Sequence, residues 1–146
     1  MRDAFGGSFM IKLMLIFLAI YISFVAVALN YAKAFRVKNS IIDIIEQNEG
    51  IGDYTDNSPR SVLGQIDTYL NTVSYYVNLT NVNSNNNNLY CYNRGYCIEE
   101  FSSTGIDGLQ NKYYKVTTYI KIDLPFFGLN FPIAVTGETR KIERII

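Results

Sequence analysis

From residue 13 to residue 29 the chain reads LMLIFLAIYISFVAVAL, without a charge, a Gly or a Pro. With the edge residues Phe9 to Lys12 it reaches the roughly 20 apolar positions that cross a bilayer core. A helix that is apolar all the way round has no face to turn to water, so lipid is its natural surrounding in a chain this small. Lys12 falls at the rim, where its stem can lie in lipid while the ammonium reaches the headgroups. Apolar residues then thin out without stopping. Tyr31, Phe35, Ile41, Ile42 and Ile45 recur at helix-compatible spacing, and neither Gly nor Pro occurs between Ser8 and Glu49. Gly6-Gly7 and Gly50-Ile51-Gly52 punctuate the two ends. The pattern predicts a short tail over 1–12, a transmembrane helix over 13–29 and an amphipathic continuation over 30–49. A helix of about 40 residues is roughly 60 Å long, twice the bilayer core, so its second half stands in water as a stalk.

Past Gly52 the periodicity changes and a head begins, placed at 53–146 and large enough for one modest core. Ser58 before Pro59 reads as an N-cap with Pro at the first helical position. Val62, Ile66, Tyr69, Leu70 and Val73 then share one face of a short helix, which Gly64 weakens. The segment 75–79 (YYVNL) favours strand, and Asn81 to Asn88 is an Asn-rich surface loop. Over 112–124 the even positions Tyr114, Val116, Thr118, Ile120, Ile122 and Leu124 form an apolar face, while Lys115, Thr117, Lys121 and Asp123 face outward. Pro125 to Asn130 connects this strand to a return strand starting over 131–135. The apolar parity flips between Val135 and Ile142, which a bulge at Gly137 would explain. The expected fold class is α+β: a long N-terminal transmembrane and stalk helix, then a head with a short helix packed on an antiparallel sheet.

Composition narrows the chemistry. The chain has 146 residues with 13 basic and 13 acidic groups, no His, no Trp and two Cys. Without His there is no Ser-His-Asp or Cys-His triad, no imidazole base and no His-containing metal site. A balanced charge speaks against a nucleic-acid partner. The charge lies in blocks: net +4 over 1–38, −7 over 39–111 and +3 from 112 onward. Such blocks read as a basic membrane flank followed by a mixed surface, and they also suit the stacking of subunits with complementary surfaces.

Cys91 and Cys97 bracket Tyr92-Asn93-Arg94-Gly95-Tyr96, and Asn93 to Gly95 can supply a turn. The two thiols are the disulfide candidate, closing a small hairpin in an oxidising compartment. Their spacing is not C-x-x-C, which speaks against a redox motif. Phosphate-binding, dinucleotide and hydrolase signatures are absent from the sequence. Asp53, Asp56 and Asn57 offer oxygens without an EF-hand frame, and a solvated turn is the simpler reading. Glu99-Glu100 and Asp107 read as surface acids rather than a catalytic pair. Tyr113, Tyr114 and Tyr119 read as cover for a thin core, ahead of a sticky binding face. The expectation is a non-enzymatic protein with no catalytic, cofactor-binding or metal-binding residue, and with no cofactor.

Two opposed features bear on orientation. Lys33, Arg36 and Lys38 follow the span, and the positive-inside rule counts them towards the cytoplasm. The short leading segment and the paired Cys favour the opposite, an extracytoplasmic head. Ala26-Val27-Ala28 also has the form of a signal-peptidase site, with Arg2 and Lys12 before the apolar run. The alternative it raises is a secreted or surface-associated binding module released from a cleaved signal peptide.

A leading segment with Gly6-Gly7, an apolar helix from about Phe9, an unbroken continuation to about Gln47 and a small β-rich head together resemble a type IV pilin-like protein. The layout is most similar to TadE/TadF-type minor pseudopilins of tight-adherence pilus systems. The ending YKVTTYIKIDLPFFGLNFPIAVTGETRKIERI adds to the resemblance. It implies a processing junction between Gly7 and Ser8, which would put Lys12 at the fifth mature position, where pilin-like proteins commonly carry Glu. It also implies the bilayer, other pilin-like subunits and assembly-platform proteins as partners, and a place at the cell membrane or in a surface filament.

Overall fold

The computed structural model describes residues 2–79, 88–105, 108–124 and 129–143. Its first element is one helix, α1 (Arg2–Gln47), of 46 residues. The expected tail over 1–12 is part of this helix, and Gly6-Gly7 does not interrupt it. An interior Gly costs a helix only about 1 kcal/mol relative to Ala, too little to stop one that continues into a long apolar run. At the other end Gly50 N–H donates to the Ile45 carbonyl (3.0 Å) and Glu49 N–H to that of Glu46 (3.3 Å). With Glu49 at φ 55, this is a Schellman ending.

The second helix, α2 (Val62–Thr72), is capped by Ser61, whose side chain accepts from Gly64 N–H at 3.1 Å. The cap therefore lies three residues beyond the expected Ser58. Ser58 and Pro59 instead form the turn that leads in, with Ser61 N–H donating to the Ser58 carbonyl. Gly64 has a positive role here. A Cβ on it would stand 1.9 Å from the Ser58 carbonyl oxygen, so only Gly lets the incoming turn lie on the helix. The helix ends in a second Schellman arrangement: Tyr75 N–H reaches the Leu70 carbonyl, and Ser74 takes φ 50. Immediately after it, 75–79 is irregular rather than the expected strand. Its backbone is held by Val77 N–H to the Arg94 carbonyl, and by the Tyr75 hydroxyl, which donates to the Tyr119 carbonyl.

The strands β1 (Leu89–Tyr92), β2 (Tyr96–Thr104), β3 (Gln110–Leu124) and β4 (Leu129–Glu138) form an antiparallel meander in that order, and the short β5 (Ile142–Glu143) pairs with β3. Along β3 the even positions Tyr114, Val116, Thr118, Ile120 and Ile122 are buried and alternate with half-buried or exposed neighbours, as the period of two requires. The register of β3 with β4 runs straight through Val116↔Gly137 to Lys115↔Glu138, so there is no bulge at Gly137. The parity change falls just beyond, where 139–141 oppose only Tyr113 and Tyr114 before Lys112↔Ile142 resumes the pairing. Thr139 bridges that gap: its N–H donates to the Tyr114 carbonyl and its hydroxyl accepts from Tyr114 N–H, both at 2.9 Å. Gly137 answers to packing instead. A Cβ there would lie 2.9 Å from Lys38 Cδ and 3.0 Å from Ile42 Cδ1, so its absence lets α1 sit close on β4.

The core joins α1, α2 and one face of the sheet. Ala34, Val37, Ile41 and Ile45 are each at most 1% exposed and meet Ile98, Val116, Ile120, Ile122 and Val135, with Leu63, Ile66 and Leu70 from α2. The buried stripe of α1 differs from the expected one, since Tyr31 and Phe35 stay 50% and 45% exposed. Close approach of helix to sheet selects the small Ala34 over its bulky neighbours. In consequence, the helix from Ala34 onward is the centre of the head. The amphipathic continuation expected over 30–49 packs its apolar side, from Ala34 onward, into the core that it shares with the residues beyond 53.

Candidate membrane and assembly surface

Before Ala34 the helix is largely exposed, with Val27 partly buried against the core. Phe9, Met10, Met14, Phe17, Tyr21, Phe24 and Leu29 each expose 64–72% of their surface, and none of the most apolar 18-residue window of α1 is buried. A helix this long and apolar is compatible with a single-pass membrane anchor. Its lack of burial sets it apart from the core helix of a soluble protein, which would be covered by its own fold. The polar Ser23 inside the run is satisfied within the helix, donating to the Ala19 carbonyl at 2.9 Å. Lys12 is exposed, and Gly7 and Ser8, the candidate processing junction, lie exposed within the helix.

In the head, Cys91 and Cys97 form a disulfide, with Cα atoms 4.1 Å apart, as directly opposed residues of β1 and β2. The turn between them places Gly95 at φ 98, and a Cβ there would fall 2.7 Å from Val77 Cβ. Arg94 at the hairpin tip grips α2: its Nε lies 3.0 Å from Asp67 Oδ1 and its Nη1 donates to Asn71 Oδ1 at 2.6 Å. Nothing in the local sequence announces this clamp, because its partners sit 27 and 23 positions earlier.

The remaining polar candidates are used by the fold. Asp53 accepts from Thr55 N–H and hydroxyl, bonds that hold its carboxyl below the usual carboxylate range. Asp56 accepts from Ser58 N–H at 2.8 Å. Glu99 and Glu100 are successive residues of one strand and project to opposite faces. Glu100 accepts from the Tyr54 hydroxyl and pairs with Lys112 Nζ at 2.7 Å. Burial, with that bond second, raises the Tyr54 hydroxyl far above an ordinary phenol. Asp107 and 80–87 of the Asn-rich loop lie outside the described residues, as do 125–128 of the β3–β4 connection. Among the described residues, no three His, Cys, Asp or Glu side chains group to hold a metal ion.

The tyrosines divide between core and cover. Tyr114, Tyr75 and Tyr96 are at most 6% exposed, so Tyr114 belongs to the core rather than to an outer layer. Tyr113 stacks on Phe101 with ring centroids 5.1 Å apart, and Tyr54 stacks on Tyr90 at 3.8 Å. The open basin of about 790 Å³ between the end of α1 and the sheet is lined by Glu49, Asp53, Arg60, Glu100, Lys112 and Tyr114 among others. Its lining mixes acids and bases, and Glu100 and Lys112 pair with each other there. A smaller groove, of about 280 Å³, lies between α1 and α2 where the bare helix meets the head. The chain matches no family model, no curated protein sequence and no solved structure.

Proposed function

We propose that this chain is a non-enzymatic, membrane-anchored pilin-like subunit or accessory component of a pilus or secretion-type assembly, with its head outside the cytoplasm. The observation that carries this reading is the continuity of α1, largely exposed from Phe9 to Leu29 and then packed into the head's core through Ala34, Val37, Ile41 and Ile45. A subunit on such a rod can leave lipid for a bundle of like helices without refolding its head, because apolar surfaces withdrawn from lipid pack on one another. The bilayer, other pilin-like subunits and assembly-platform proteins are the partners this implies. The Cys91–Cys97 disulfide supports an oxidising compartment for the head.

One observation favours the second reading, a module released by cleavage after Ala28. Among the described residues, every fully buried core residue lies at Ala34 or beyond, so a chain starting at Leu29 retains them. Intact mass and N-terminal sequencing of membrane, medium and sheared-surface fractions separate the two. A start at Ser8 in sheared material supports the filament subunit, and an unprocessed chain confined to membranes supports the anchored accessory. A start at Leu29 in the medium replaces both with the released module. In parallel, Phe17→Asp or Val25→Asp, each costing about 3 kcal/mol at mid-bilayer, should abolish membrane retention. Wild-type fractionation of these variants would overturn the anchor.

A further inference from the structure

Lys12 and Lys33 bracket 20 uncharged residues, 13–32, which as α-helix measure ~30 Å, the thickness of a bilayer core. The next residue, Ala34, is already 0% exposed inside the head. No free stalk separates the two, so on the single-pass reading the head rests against the headgroups. The groove between α1 and α2 lies at that level. Leu29, Ala32, Val37, Tyr69 and Val73 give it an apolar floor, and Lys33 and Arg36 supply its charge; among the described residues no carboxylate lines it. Lys33 is held in place by donating to the Ser74 carbonyl at the end of α2 (3.0 Å), while Arg36 is exposed. Nearby in sequence, Tyr76 exposes 63% of its surface, in keeping with the aromatic belt of membrane interfaces.

We infer that this groove seats an anionic phospholipid of the leaflet beneath the head, its phosphate against Lys33 and Arg36 and its upper acyl chain against Leu29, Ala32 and Val73. The argument is one of complementarity. The two cations face no acid in the groove, the floor is apolar, and both stand at the depth where a phospholipid changes from chain to phosphate. A neutral lipid would satisfy the floor and leave the guanidinium and ammonium to water. A soluble anion would satisfy the cations and leave the floor bare. A second copy meeting it by the same face would bring the same two positive charges to the site. The inference rests on the membrane-anchor reading above.

The test uses the full chain reconstituted in phosphatidylcholine vesicles doped with spin-labelled phosphatidylglycerol or spin-labelled phosphatidylcholine. The readout is the motionally restricted fraction of each probe. The wild type should restrict the anionic probe with a preference of about thirtyfold over the neutral one, as two cations near the surface at about 1 kcal/mol each imply. Lys33→Gln with Arg36→Gln should bring the preference close to unity. Ala32→Phe, at an exposed position that leaves every charge in place, should fill the floor and remove the restricted component. Lys121→Gln, on the exposed side of β3, should change nothing. A preference that survives Ala32→Phe overturns the groove and leaves only general surface attraction. Equal restriction of both probes by the wild type overturns it in favour of a neutral lipid. Failure of the wild type to float with the vesicles overturns the anchor itself, and the groove with it.

Discussion

The Thr118 hydroxyl donates to the Ala34 carbonyl across 3.2 Å, joining the middle of β3 to α1 over 84 positions of sequence. Both residues are 0% exposed, and their contact marks where a membrane-type helix becomes a core helix. Thr118→Val, similar in shape but without the donor, should cost about 1 kcal/mol. Ala34→Leu should cost about 1–3 kcal/mol by forcing helix and sheet apart. Urea unfolding of the head in detergent micelles, followed by near-ultraviolet circular dichroism, measures both. Unchanged midpoints would mean that the helix does not dock as described.

Gly64→Ala should run against helix propensity. In an open helix this change gains about 1 kcal/mol. Here the methyl group would meet the Ser58 carbonyl, so the variant should instead lose at least about 1 kcal/mol. The same denaturation experiment decides the sign.

Glu49 and Ser74 occupy left-handed backbone at the ends of the two helices. A non-Gly residue there costs about 1–2 kcal/mol. Glu49→Gly and Ser74→Gly should therefore stabilise the head, each by about 0.5 kcal/mol once the greater freedom of Gly in the unfolded chain is counted. A thermal midpoint that falls in both variants would contradict the Schellman geometry.

Reducing Cys91–Cys97 should destabilise the head by about 2 kcal/mol, the loop-closure value for so short a loop. Dithiothreitol should lower the melting temperature of the wild type and leave that of Cys91→Ser with Cys97→Ser unchanged. If the reductant does not affect the wild type, the bond is not formed in the protein.

Burial pushes the Tyr75 and Tyr92 hydroxyls up to about 12 and raises those of Tyr54 and Tyr96 as well. Unfolded tyrosines titrate near 10. The folded state holds these protons more tightly, so its advantage is complete below about pH 10 and is lost as pH rises through about 12. In an alkaline titration, part of the phenolate absorbance should appear only as the near-ultraviolet dichroism of the head collapses. Absorbance that develops fully near pH 10 with the fold intact would refute this.

Legibility in the sequence followed the range of the forces involved. The apolar anchor and the alternation of β3 were plain because each is decided by its own residues and their period. The Cys91–Cys97 pair was legible because Asn93 to Gly95 can turn the chain between them. Capping of α2 was not, because Ser58 and Ser61 are equally good caps by type and only the close pass of the turn over Gly64 selects the second. The buried stripe of α1 was misread for a related reason. Tyr31 and Phe35 look like core by hydropathy, yet the close approach of helix to sheet at Thr118 favours the small Ala34. Strand β2 stayed hidden because Tyr96, Cys97 and Ile98 are buried consecutively and erase its alternation. The groove and the Arg94 clamp depend on residues brought together from different elements, and no local pattern encodes them.

Because α1 passes from its exposed apolar half to the core without a hinge, the azimuth of the head about that half is fixed by residue count. Each residue advances a helix by 100° and 1.5 Å. Inserting one alanine between Leu29 and Lys33 would therefore swing the head through more than a quarter turn about the rod while barely raising it. Any lateral neighbour that reads a particular side of the head would then face another, although the apolar run and the core both stay intact. The phase of the helix is thus as much a part of the surface this protein presents as the side chains themselves.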